Sequence, residues 1–476
     1  MTGLTWTVAS VLFACAVWSM SAITAFSNLP LFAGAAIYIS IVRLYRPAIA
    51  VGLLLFFSFL DLRTNVAGVG IRIYEAVTIA SAVTLAVTAS RSATGLPQSR
   101  GLFAPLWPLV VVCCLSVVYS ISPTETITQI LRLLVVILFA ATASAVYAIE
   151  KYARQLDFAL GIGLAVAIVM GFLQMLMGPS FLEILRAGAY VPFMSAESLE
   201  RGHGSFYIGH SGGLRPFSFF ATPHMHVAVV AMTALFFLGK RKTAPLLRLV
   251  ACVALIQVAV SDVYGGLVGL VAAFGLGLVV YLARFGRLVA GLVVIGCAGV
   301  AAVLIEVLPQ LIDSLSDRGS PVRLLLWESV WSSFLGNQLL GAGYGTIHLL
   351  IRDFNAWYGY DFDHAHSWYI QTLGELGFLG GGALLWFLVG MGKRAYAASV
   401  GDRGQGVAGA MVLGYFMGHS TVDSFVTGGN VVFALFLALL GCSLVVATGR
   451  LSEGVDRRNL VRTTEAARSS REGHQR

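Results

Sequence analysis

Charge is what this chain lacks. Only 11% of its 476 residues are Asp, Glu, Lys or Arg, 58% are hydrophobic and the mean hydropathy is +0.83, whereas soluble domains carry about 25% charged residues. So little polar surface excludes a water-soluble globular domain. Cysteine is sparse as well. Cys15, Cys113, Cys114, Cys252, Cys297 and Cys442 all fall inside apolar runs, which excludes a disulfide framework or a zinc spacing and leaves them as small buried hydrophobes. A continuous basic face is also missing. Despite a net charge of +8, the Lys and Arg are scattered through short connectors, so nucleic acid is excluded as a partner and a positive-inside bias accounts for them. There is no internal repeat of the kind that marks many transporters. No basic residue precedes the first apolar run, which starts at Leu4, and no small-residue cleavage site follows it, so that run is predicted to be a retained helix.

What the chain does have is long apolar runs. They predict spanning helices near 4–25, 29–42, 47–60, 74–90, 102–121, 130–149, 156–177, 219–238, 246–261, 263–283, 287–305, 368–392, 404–420 and 430–448, because a span needs about 20 apolar residues. The fold class expected is an all-α integral membrane protein, a polytopic bundle of about 12 to 14 transmembrane helices with two long outer-face loops. Its expected organisation is N-terminal helices over 1–178, an outer loop over 179–218, central helices over 219–305, a large outer loop over 306–367, C-terminal helices over 368–448 and a basic, disordered cytoplasmic tail over 449–476. Alternate connectors carry Arg43, Arg46, Arg91, Arg100, Lys151, Arg154, Lys240, Lys242, Arg248, Arg284, Arg287, Lys393, Arg394 and Arg403, whereas the short intervening ones carry only Arg63 and Arg72. This asymmetry predicts cytoplasmic termini in the plasma (inner) membrane and puts both long loops outside. Those loops are rich in Trp, Tyr, Phe, Gly and His, a composition of ordered structure.

Three segments of the outer loops carry candidate chemistry. The first runs from Gly213 through Arg215, Pro216, Phe217 and Ser218 to His224 and His226 at the start of an apolar helix. A guanidinium there suits an anion, because its fork bonds phosphate oxygens in two places and it stays charged; it equally suits an interfacial Arg snorkelling to headgroups. In the second, Arg323 and Trp327 stand four apart and share a helix face, followed by Gly341, Gly343, Tyr344 and Gly345, a Gly-rich stretch that lets backbone approach a ligand or a neighbour. The third runs from Asp361, Asp363, His364 and His366 into an apolar helix containing Gln371 and Glu375. Two His and two Asp leave a metal reading open, but the Asp-x-Asp clamp that serves nucleotide sugars belongs in the cytoplasm. A helix N-terminus, with any nearby Arg, disfavours imidazolium, so His366 is expected to be neutral and available as a base, or else to satisfy loop carbonyls. Glu375 is expected to be buried and to orient its neighbours.

His366-Ser367, nine residues, then Gly377, two residues and Gly380 resemble the His-[Asn/Ser/Gln]-x9-Gly-x-x-Gly signature of the bacterial O-antigen ligase and polysaccharide polymerase superfamily. The stretch around Arg215 is similar to that family's Arg, aromatic and Pro segment, and Arg323-x-x-x-Trp327 resembles its Arg and Trp motif in the large outer loop. The likeness runs from about residue 200 to 390. Ser261-Asp262-Val263 departs from a Ser-Arg-Gly turn common in the family. The resemblance implies a metal-independent, inverting glycosyltransferase with no cofactor, working on glycan carried by undecaprenyl pyrophosphate at the outer face, for cell-envelope glycan or exopolysaccharide synthesis. Its partners would be that donor, a glycan, lipid or protein acceptor, and membrane lipids. Arg215 and Arg323 would neutralise the leaving pyrophosphate and His366 would act on the acceptor, with Trp327, Tyr344, Asp361 and Asp363 as substrate contacts. The alternative is a lipid-linked oligosaccharide flippase or other secondary transporter, which should line its path with ionisable residues near the midplane of several helices.

The orientation has a direct test. Single cysteines at Ser205 and Tyr358 in a cysteine-free background should react with an impermeant thiol reagent in intact cells; labelling only after the membrane is breached reverses the topology.

Overall fold

The computed structural model describes residues 101–181, 222–283, 320–358, 362–425 and 430–445, with parts of 51–79 and 214–222. The predicted helices 4–25, 29–42 and 287–305, residues 80–90, most of the loop 179–218, residues 306–319, Asp361 and the basic tail lie outside the described residues. The fold is an all-α membrane bundle. Its described helices are α1 (Trp107–Leu115, flanked by 3-10 turns), α2 (Pro123–Tyr147), α3 (Glu150–Met177), α4 (Pro223–Gly239), α5 (Pro245–Val260), α6 (Tyr264–Leu282), α7 (Ser320–Gly336), α8 (Ile347–Leu350), α9 (Arg352–Tyr358), α10 (Trp368–Gly401), α11 (Arg403–His419) and α12 (Val431–Val445). A small antiparallel pair, β1 (Arg63–Val66) with β2 (Val69–Arg72), occupies the connector that carries the two exceptional arginines.

Local chemistry sets the ends of these helices. Pro stands in the first turn of α2, α4 and α5, where its missing N–H costs nothing. Thr222 caps α4 by accepting from the Met225 N–H at 3.2 Å, and Asp402 caps α11 by accepting from Gln405 at 3.3 Å. The residues Pro123–Tyr147, Tyr152–Met177, Tyr264–Leu282 and Trp368–Gly401 are each long and apolar enough to cross a membrane. Helix α4 lies at the centre, with every residue from Pro223 to Phe237 buried. Helices α6 and α11 touch backbone to backbone, since a Cβ on Gly414 would fall 2.6 Å from the Ala272 carbonyl oxygen; small residues permit such approach between spans.

The ends of the bundle differ. The starts of α4, α6 and α10 and the ends of α3, α5 and α11 gather the Arg and His segments at one end. At the other, Lys240 is buried against Asp157, with Nζ–O distances of 2.7 and 2.6 Å, and bonds the Tyr147 hydroxyl, joining α2, α3 and α4.

Helix α10 is broken near its start. Gly377 has φ 62° and ψ −159° inside it, and the backbone groups freed there are taken up by the outer loop. Ala342 and Gly343 N–H donate to the Gly374 and Glu375 carbonyls at 3.1 and 2.7 Å, and Phe378 N–H donates to the Gln338 carbonyl at 2.8 Å. Buried backbone groups need such partners in a membrane. Gly377→Ala should destabilise the protein by about 1–3 kcal/mol from backbone strain alone, and more because its methyl would lie 2.4 Å from the Leu339 oxygen. Gly382→Ala, whose added methyl meets nothing within 4 Å, is the control. Thermal unfolding in detergent measures both, and equal midpoints would contradict the role given to the break.

Candidate active site

The site is built around a carboxylate that lies far along the chain from the predicted residues. Asp423, just beyond α11, is 4% exposed. Its Oδ1 lies 3.0 Å from His364 Nε2 and 3.8 Å from His366 Nδ1, and its Oδ2 lies 3.2 Å from His224 Nδ1. The Ser424 N–H donates to Oδ1 at 2.8 Å. Although burial opposes its charge, His224, His364 and His366 hold this carboxyl well below the usual carboxylate range.

His364 and His366 divide the protonation between them. Burial works against a charge on His364, but the adjoining Asp363, to which it is hydrogen-bonded, and Asp423 outweigh it and push its pKa up to about 10. His366 is held well below the ordinary imidazole value by burial first, then by the His364 charge, with Asp423 opposing and Arg323 and His224 adding to the depression. The rings are 4.2 Å apart between centroids. Near neutrality one ring is therefore cationic and the other neutral. His366 Nδ1 is buried and makes no hydrogen bond among the described residues.

The backbone holds His366 in place. It adopts φ 50°, one of three non-glycine residues with positive φ among those described; the other two, Ser218 (φ 48°) and Asp262 (φ 56°), flank Arg215 in space or sequence. Such left-handed residues cost energy and persist where surroundings enforce them. The enforcement is visible here. Trp327 Nε1 donates to the Ala365 carbonyl at 2.7 Å, the Asn355 side chain bonds both the N–H and the carbonyl of Phe362 at 3.2 and 2.7 Å, and the Trp368 N–H donates to the Ser420 carbonyl at 3.0 Å. The Trp368 ring is packed among Phe387, Phe416 and Phe433.

Both arginines reach this cluster. Arg215 Nη2 lies 3.8 Å from Asp262 Oδ2, and its charge acts on His224. Arg323 is half-buried on α7, on the same side as Trp327, its charge is felt at His224, His366 and His419, and it interacts with Asp423. Burial disfavours its cation and Asp423 supports it. Among the described residues no carboxylate lies within ion-pair distance of Arg323.

Of the other predicted contacts, Asp363 is on the surface, with 88% of its side chain exposed, bonded to His364. Tyr344 is placed elsewhere: it lines a small cavity with Leu109, Cys113, Gln371, Thr372 and Glu375, and its N–H donates to Ser116 Oγ at 3.1 Å. Glu375 is buried, accepting from Ile347 N–H and Gln371 Nε2 at 3.1 Å each, so it orients the Gly-rich stretch. That stretch approaches protein, since a Cβ on Gly341 would meet the Glu375 backbone at 2.5 Å. Sequence reasoning missed Asp423, His419 and Asn355 and gave His224 no role. A single acidic residue after a long apolar run was the one available signal for Asp423.

Among the described residues, two sets offer three ligand atoms within 4.8 Å of one another: His224, His419 and Asp423, and His364, His366 and Asp423. Imidazole with carboxylate is a donor set for transition metals.

The fold and site define a polytopic membrane protein with a cluster of guanidinium, imidazole and carboxylate at one end of its bundle. Residues 249–387 match the family model described as O-antigen ligase. The match supports membership of the O-antigen ligase and polymerase superfamily, an O-antigen ligase-like glycosyltransferase family. It contains Arg323, Trp327 and His366, while Arg215, His224 and Asp423 lie beyond its limits. No curated protein matches the chain.

The protonation pattern predicts a pH dependence. His364 has a folded-state pKa raised above its unfolded value of about 6.5, so its contribution is fully present below about 6.5 and is lost as the pH rises through about 10. Asp423→Asn should destabilise the protein by about 3–5 kcal/mol, the cost of breaking a buried pair, and should move the alkaline loss of stability to lower pH. Thermal unfolding measured between about pH 6 and 10 tests this; an unchanged profile would remove the pairing from the account.

Proposed function

We propose that the protein transfers or polymerises glycan from an undecaprenyl-pyrophosphate-linked donor at the outer face of the plasma (inner) membrane, by direct displacement with inversion and without a metal. The observation that carries this reading is the half-buried Arg323, with no carboxylate in ion-pair distance among the described residues, facing a neutral His366. A desolvated guanidinium beside an unprotonated base suits a reaction that expels a phosphate anion while taking a proton from a hydroxyl. The basic residues at the opposite end of the bundle, Lys240, Arg241, Arg248, Arg394 and Arg403, support an outward-facing site through the positive-inside bias.

In this reading the acceptor hydroxyl gives its proton to His366 as its oxygen attacks the anomeric carbon. The bond from that carbon to the pyrophosphate oxygen breaks, its electron pair leaves with the polyprenyl pyrophosphate, and the carbon inverts. Arg323 and Arg215 take up the charge growing on the leaving group, bidentately where the phosphate oxygens allow. Asp423 steadies the imidazolium formed on His366 and keeps His364 cationic. The electrostatics favour this division over a metal on the His364, His366 and Asp423 set, because His364 and Arg323 already bring positive charge to Asp423 and a divalent ion would add to it.

His366→Ala, Arg215→Ala and Arg323→Ala should each insert and fold yet lose glycan transfer by about 10²-fold or more, the scale for removing a general base or a charge clamp. Arg→Lys should fail at one or both Arg sites, since an ammonium cannot reproduce the fork. His348→Ala and Arg352→Ala are controls. The assay is transfer by purified protein from a polyprenyl-pyrophosphate oligosaccharide, run with chelator present. Near wild-type transfer by His366→Ala would sink the catalytic assignment, and activity restored by one divalent ion would replace the arginines with a metal.

A further inference from the structure

We propose that Gln174 is a positioning residue: its side-chain amide fixes the turn that aims Arg215 into the site. The inference rests on the transferase reading for the role of Arg215, and on separate geometry for the clamp. Gln174 is fully buried in the last turn of α3. A polar side chain at such a depth demands partners, and the Gln174 amide finds them in the Arg215 segment. Its Oε1 accepts the N–H groups of Phe217 and Ser218 at 2.9 and 2.6 Å, and its Nε2 donates to the Ser218 carbonyl at 3.0 Å.

Those three bonds seize the backbone where it is strained. Ser218 holds φ 48°, a conformation that needs external support. The Phe217 side chain is buried against Phe181 at 6.1 Å between ring centroids, so water cannot replace the amide. Pro216 restricts the backbone of Arg215 before it. With the turn pinned on one side and Leu214 buried on the other, the guanidinium of Arg215 has a fixed origin from which to reach Asp262 and the histidines.

Gln174→Leu keeps the volume and removes all three bonds. In the full-length protein in nanodiscs, hydrogen exchange at the amides of Phe217 and Ser218 should quicken while that of 364–368 and 419–425 stays unchanged. Transfer per folded molecule should fall at least tenfold with the acceptor KM unchanged, because Arg215 acts on the leaving group. Gln257→Leu, the removal of another fully buried glutamine, should lower thermal stability comparably and keep transfer. Unchanged exchange at 217–218 would overturn the clamp. Faster exchange with wild-type transfer would overturn the positioning role, and faster exchange throughout with a changed acceptor KM would make Gln174 merely structural. An Arg215→Ala variant that transfers normally would instead overturn the transferase reading of Arg215, whatever Gln174 does.

Discussion

A buried carboxylate cannot remain ionised without compensation, and the site is organised by how Asp423 receives it. One oxygen faces His364 and His366, the other faces His224, and the field of Arg323 reaches it from α7. Asp423 thus joins the start of α4, the lead-in to α10, the end of α11 and the helix of the outer loop. The same carboxylate separates the protonation states of two neighbouring rings. It favours the cation on His364, within hydrogen-bond distance, more than on His366, which is farther away and carries the repulsion of His364. Pairs of titratable groups driven apart in this way are what acid–base chemistry requires.

The backbone is bent to deliver these groups and relaxed elsewhere to permit it. Positive φ at Ser218, Asp262 and His366 concentrates strain at the site, while the break at Gly377 lets the outer loop pair with α10 and bring α7 over the histidines. Trp327 illustrates the economy of this arrangement. Its indole N–H fixes Ala365, between the two rings, from a helix position four residues beyond Arg323, so one helix face both holds the His366 segment and offers a cation.

Much of this was legible locally. The His366 segment at a helix start and the shared face of Arg323 and Trp327 follow from residue type and helical period, and both are present. Helix limits were legible only where apolar runs coincide with helices. Helix α2 begins at Pro123 instead of near 130, and α3 at Glu150 instead of near 156, because their charged or hydroxylated first turns resemble connectors. Helix α10 continues to Gly401, past 392, through Lys393 and Arg394. The β1–β2 pair was hidden in a short connector. Asp423 was beyond reach for a different reason: it lies 59 residues after His364, and only the return of α11 against α10 brings the two together. Tyr344 is the reverse case, an aromatic beside a glycine motif that the fold turns toward Glu375 and Cys113 and away from the histidines.

The proposed preference for arginine over a metal rests on the same electrostatics. Three-ligand sets exist around Asp423, and an isolated His–His–Asp arrangement would favour a transition metal. The surroundings alter that preference. A divalent ion binding to the second set would need His364 to surrender its proton, against the pull of Asp363 and Asp423 that raises its pKa to about 10, and would sit within the field of Arg323. Each proton displaced and each like charge added weakens metal affinity. A diphosphate carries the opposite sign, so it gains from the same cations. In the proposed reading, the charges that disfavour a divalent ion on the His364, His366 and Asp423 set would suit a departing pyrophosphate, with the neutral ring of His366 as the proton acceptor.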